Sequence, residues 1–111
     1  MNTISNSPNF KAKTIISASD NLLSKKEIKE LTKMGERIGF NNDSISYGIR
    51  QLNHDTFGVT HKSDFNIDGN NLKTEKIEVH SIKDAKPFDI VKEQLKSLKS
   101  LYNNTISKLN D

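Results

Sequence analysis

Between Phe57 and Ile67 the chain alternates without a break, "FGVTHKSDFNI". Side chains of a β-strand point to opposite faces in turn. One face of this stretch therefore reads Phe57, Val59, His61, Ser63, Phe65 and Ile67, and the other Gly58, Thr60, Lys62, Asp64 and Asn66. An eleven-residue strand with one apolar face requires neighbours on both edges and a layer to cover that face, which points to a sheet with helices packed on it. It also sends a histidine and a serine to the apolar side.

The flanking segments supply those parts. "NFKAKTIISA" alternates and predicts a first strand over 9–18, with Phe10, Ala12, Thr14 and Ile16 inward. Ser24 and Glu27 form a capping box, Leu23 and Ile28 a hydrophobic staple, and Ile28, Leu31, Met34 and Ile38 recur at helical spacing. This predicts a helix over 25–38, stopped by a left-handed Gly39 with Phe40 folding back on Met34. Gly35 inside it marks a close approach to the sheet. Ile45, Tyr47 and Ile49 alternate in a second strand, and "LKTEKIEVHSI" is a fourth. Asp84 and Pro87 open a last helix whose buried stripe is Phe88, Val91, Leu95, Leu98, Tyr102, Thr105 and Leu109.

Register follows if every apolar set stays on one face. Three-residue loops at Asn53-His54-Asp55 and Gly69-Asn70-Asn71 keep odd residues opposite odd ones. The expected rows are Ile45–Ser63–Ile77, Tyr47–His61–Val79 and Ile49–Val59–Ser81. Leu72 falls off this face, which a bulge near Thr74 would accommodate at the expense of this register. The fold class is α+β: a single small domain of order β-α-β-β-β-α, an antiparallel sheet with two helices on one face. Its 111 residues suffice for one domain. Residues 1–8 are expected to be a tail and 9–109 the domain.

Composition narrows the function. Hydrophobic residues are 32% and charged residues 28%, with a net charge of +3. The basic bias is mild, so anionic partners are permitted and not required. The chain has no cysteine, which removes disulfides, thiolate metal sites and cysteine nucleophiles. No apolar run reaches the roughly 18 residues of a membrane span, and "MNTISNSPNF" lacks the pattern of a secretory signal, so a cytoplasmic protein without membrane insertion is expected. Heavy use of Asn, Lys, Ser and Ile fits an AT-rich bacterial genome.

Three constellations deserve weighing. Tyr47, His61 and Ser63 form a polar island on the apolar face: either a pocket floor, or polar core residues bonded to one another and to backbone. The residues favour the core. His54, His61 and His80 lie on different faces, so no metal and no cofactor are expected. Lys92, Lys96 and Lys99 line one side of the last helix, either its wetted face or a contact for a phosphate backbone. The carboxylates stand among lysines, and no catalytic set emerges.

The element order is similar to that of the bacterial ribosome-hibernation factors. Its last five elements resemble the order in double-stranded RNA-binding domains. The resemblance is one of order alone: where the RNA-binding domains carry a lysine-rich signature, "KDAKPFDIVKEQ" has only Lys83, Lys86 and a proline at the start of the final helix. It implies a structured-RNA or ribosome partner. The residues themselves favour a non-enzymatic binding module, acting on a protein partner or on a second copy of itself.

Overall fold

The computed structural model describes residues 11–19 and 21–109. The elements are β1 (Lys13–Ala18), α1 (Lys25–Glu36), β2 (Ser44–Gln51), β3 (Thr56–Ile67), β4 (Asn70–Ser81) and α2 (Pro87–Leu109), in the expected order. Residues 9 and 10 of the expected first strand, and the expected tail, lie outside the described residues. The four strands form one sheet in sequential order. That sheet is mixed. β1 runs parallel to β2, while β2–β3 and β3–β4 are antiparallel. The parallel pair follows from α1, which carries the chain back to the end of the sheet from which β1 set out.

The capping box is formed as read: Ser24 Oγ accepts from Glu27 N–H at 3.0 Å and Glu27 Oε1 from Ser24 N–H at 2.8 Å. Gly35 sits against β1, where an added Cβ would lie 2.5 Å from Thr14 Cγ2. The helix ends two residues early and without a left-handed glycine. Arg37 takes a right-handed conformation, and the N–H groups of Arg37 and Ile38 reach back to Met34 and Gly35 in a tightened last turn. Phe40 is exposed rather than folded on Met34.

Gly39 is needed for a different reason. A Cβ there would run into the Asp43 carboxylate. Asp43 is 2% exposed. Its Oδ2 accepts from Phe40 N–H at 2.8 Å and its Oδ1 from Asn66 N–H at 2.7 Å; Tyr102 Oη lies 3.5 Å from Oδ2. One carboxylate thus ties the α1–β2 loop to the far end of β3 and touches α2.

The core lies between the helices and one face of the sheet. Ile16, Ile45, Tyr47, Ile49, Phe57, Val59, Phe65 and Ile67 meet Leu31 from α1 and Val91, Leu95, Leu98 and Tyr102 from α2. Burying side chains such as Leu31 and Val91 contributes about 1.5–3 kcal/mol each. Leu109, expected in the stripe, is exposed. α1 packs on β1, α2 lies over β3 and touches α1, and α2 barely reaches β4.

The β2–β3 register is the expected one, with Ile45 opposite Ser63, Tyr47 opposite His61 and Ile49 opposite Val59. The β3–β4 register is not. Ile67 pairs with Asn70, so the connection is the two-residue turn Asp68-Gly69. Both residues have positive φ, 51° and 83°, as a type I′ hairpin turn demands. Odd residues of β3 therefore face even residues of β4: Val59–Glu78, His61–Lys76, Ser63–Thr74 and Phe65–Leu72. Pairing runs unbroken past Thr74, with no bulge, and Leu72 falls on the core side after all. Ile77 and Val79 point to the outer face, 75% and 60% exposed.

Replacing Asp43 by Ala should strand two backbone N–H groups. The expected loss is about 3 kcal/mol, because a hydrogen bond to a charged group is worth about 1.5–3. Asn at this position retains one carbonyl acceptor and should lose less. Urea unfolding of the two variants beside the wild type measures both.

Candidate functional site

β2 and β3 bring Tyr47 and His61 side by side, as their pairing requires. The ring centroids are 4.5 Å apart at an interplanar angle of 38°. Ser63 is one row further along. All three are buried, at 2%, 4% and 4% exposure. The expected internal hydrogen bonds are missing. Among the described residues, Tyr47 Oη, His61 Nδ1 and Ser63 Oγ have no partner, and Gln94 Oε1 from α2 joins them. Two rings in contact can pack well while their polar atoms point elsewhere, and that is the arrangement here.

Burial sets the protonation of both rings. It pushes the Tyr47 phenol far above its ordinary range, with Glu78 adding to the effect, so the group is a neutral O–H. Burial lowers the His61 pKa; the Lys76 cation lowers it further, and Glu78 acts the other way. Tyr102 is raised by burial and by Asp43.

A hollow of about 250 Å³ opens between α2 and the β3–β4 hairpin, with Tyr47 and His61 among its lining together with Lys76 and Gln94. The larger trough of about 590 Å³ lies on the outer face of the sheet, lined by side chains such as Lys13, Ser46, Lys62 and Glu75. It is the open concave surface of a twisted sheet. Its Lys62 and Glu75 make an exposed ion pair at 3.7 Å, which contributes little. Chemistry concentrates in the smaller hollow.

The lysine stripe is present in part. Lys96 and Lys99 are exposed and Lys92 is half-buried. Lys92 Nζ lies 3.6 Å from Glu30 of α1 and 5.4 Å from the Phe88 ring centre. Lys96 lies 3.8 Å from Glu93. Of the three histidines, His80 faces the helix side and pairs with Glu78 at 2.7 Å, stacking on Phe57 with centroids 5.6 Å apart. Among the described residues no group of His, Asp and Glu is arranged to hold a metal ion, and no helix is long and apolar enough to cross a membrane.

No family model and no curated protein matches the chain. A solved structure of an uncharacterized protein is similar over 91% of this chain and 92% of its own, at 8% identity and a TM-score of 0.36.

His61→Phe should fold and match or exceed wild-type stability, since it removes an unpartnered buried nitrogen. His61→Asp, a carboxylate buried beside a phenol, should lose about 3 kcal/mol or more. The lowered pKa adds a pH signature. Below about 6.5 the unfolded chain binds a proton that the folded chain resists. The His61 contribution is therefore complete above that pH and is lost as the pH falls toward the folded pKa. Subtracting His61→Phe melts from wild-type melts across pH 4–8 (an approximate window) should isolate this slope; equal slopes would show a normally titrating imidazole.

Proposed function

We propose that the protein is a non-enzymatic binding module whose working surface is the free edge of β4, and that a second copy of the chain is the partner this edge fits. The observation that carries the reading is the inversion of β4. Its apolar Ile77 and Val79 face solvent, and among the described residues a twelve-residue strand is left with one unpaired edge. Such an edge is a template for strand addition.

The charges select a partner. In an antiparallel hairpin alternate residues direct their backbone groups to the neighbouring strand. Ile82 N–H bonds to Asp55 C=O, which gives the even residues to the β3 side and leaves the odd ones, Ile77 included, for the free edge. A two-fold axis at Ile77 would place Lys76 opposite Glu78 of the second copy, twice, and Thr74 opposite His80. Sliding the axis by one residue opposes Lys76 to Lys76 or Glu78 to Glu78. Opposite charges across strands contribute about 0.2–1 kcal/mol each, and like charges cost similar amounts. The same four charged side chains that blunt the edge against other strands thus favour this register over its one-residue neighbours. Little area is buried by strand pairing alone, so the dimer is weak and concentration-dependent.

An RNA or ribosome partner draws less support, because two of the three stripe lysines already have a carboxylate beside them. Binding to structured RNA at low salt that collapses as salt is raised would favour it instead.

Sedimentation of the full chain over a concentration series tests the dimer. Ile77→Lys should leave folding stability within about 0.5 kcal/mol, as suits an exposed site, and abolish association. Lys76→Glu and Glu78→Lys should each be monomeric alone and should associate when mixed, because the mixture restores both opposite-charge pairs. A wild type that stays monomeric at millimolar concentration would refute the dimer.

A further inference from the structure

β1 forms the other edge of the sheet, and it is built differently from β4. The N–H groups of Lys13 and Ser19 bond to the C=O groups of Asp43 and Ile49 on the β2 side, both at 2.9 Å. Alternate residues of a strand turn their backbone groups the same way, so Thr14, Ile16 and Ala18 present theirs to the other side. Among the described residues no strand lies there. Edges of this kind are normally blunted by charged side chains or proline. β4 carries Lys76 and Glu78, whereas "TIISAS", Thr14 to Ser19, has neither a charge nor a proline.

The layer above β1 restricts what can pair with it. α1 packs on this strand. The β1 of a second copy, one strand spacing away at about 5 Å, would bring its own α1 equally close. Packed helix axes need about 8–10 Å. The edge therefore fits a bare strand with no helix layered on it. The chain holds such a segment just upstream. "NTISNS", Asn2 to Ser7, has no charged side chain and matches the six residues of β1 in length. Pro8 and Asn9, both turn-forming residues, stand between the two.

We propose that residues 2–7 of the chain pair antiparallel with its own β1 and close this edge as a fifth strand. The register follows from Ala12. Its N–H is already committed to Glu36 C=O at 3.2 Å, so the connection includes it and runs from Pro8 to Ala12. A loop of this length is common between hairpin strands. It sets Asn6 opposite Thr14, Ile4 opposite Ile16 and Asn2 opposite Ala18. Ile4, the one apolar side chain of the segment, then stands beside buried Ile16 on the side of the core. A loop one residue shorter would turn it to the outer face. The pairing is independent of the β4 reading and bears on its outcome: with β1 closed from within its own chain, association through β4 stops at two copies.

NMR of the isotope-labelled full chain tests the pairing. The expected result is Hα–Hα contacts between Thr3 and Ser17 and between Ser5 and Ile15, the close pairs of this register. Ile4→Pro removes an N–H from the ladder, and amide exchange at Thr14, Ile16 and Ala18 should be at least ~10-fold faster in that variant than in wild type. Ile4→Val, which keeps a β-branched side chain, should retain the protection. Equal exchange in wild type and Ile4→Pro would overturn the proposal, as would absence of both contacts. So would contacts found only between differently labelled copies, or protection that survives Ile4→Pro and grows with protein concentration, since either result gives the edge to a second copy.

Discussion

A type I′ turn accommodates two residues between paired strands, and in this protein that count decides which side of β4 is which. Asp68 and Gly69 take the left-handed conformations that let two right-twisted strands return directly on each other. With Ile67 opposite Asn70, the parity of β4 is reversed relative to β3. Lys76 and Glu78 come to the helix side and Ile77 and Val79 go to solvent. α2, lying over β3, barely reaches β4, where Leu72 is packed against the core while Ile77 and Val79 are not. The hollow beside α2, the polar character of its rim and the apolar residues of the outer edge all descend from one pair of backbone conformations.

Local stereochemistry here prevailed over apolar burial. Facing Ile77 and Val79 to the core would require a three-residue loop between β3 and β4. The dipeptide Asp68-Gly69 is itself a strong hairpin signal for a two-residue turn, and α2 barely reaches β4, so little burial is on offer to Ile77 and Val79 on either face. The β2–β3 register was legible because turn length and apolar pattern agree there: Asn53-His54-Asp55 and the pairs Ile45–Ser63 and Tyr47–His61 give one answer. The capping box and the α2 stripe were legible for the same reason, since each is a pattern within one element.

What joins elements was harder to read. The neighbourhood of Tyr47 and His61 followed from strand pairing, but Gln94 enters only because of where α2 settles on the sheet. Lys76 enters only through the reversed parity. Asp43 gave no signal of its own, since "NNDS" reads as a solvated turn. Its role depends on the N–H of Asn66, distant in sequence, and on Gly39 leaving space for the carboxylate. The sequence around Gly39 suggests a need for backbone freedom, whereas its use is the absence of a side chain.

The parallel pairing of β1 with β2 has a consequence for how the chain assembles. β2, β3 and β4 form a meander whose turns join strands adjacent in sequence, so its loops close at small entropic cost. β1 reaches β2 only across α1, and its short edge gains its place once that helix is formed and seated. The helix is prepared for this by Ser24 and Glu27, which satisfy its first amide groups before any tertiary contact exists. On topology alone the meander is expected to form first and β1 with α1 later. β1 with α1 is held by the fewest strand contacts, and is therefore the half in which native-state opening is expected to begin.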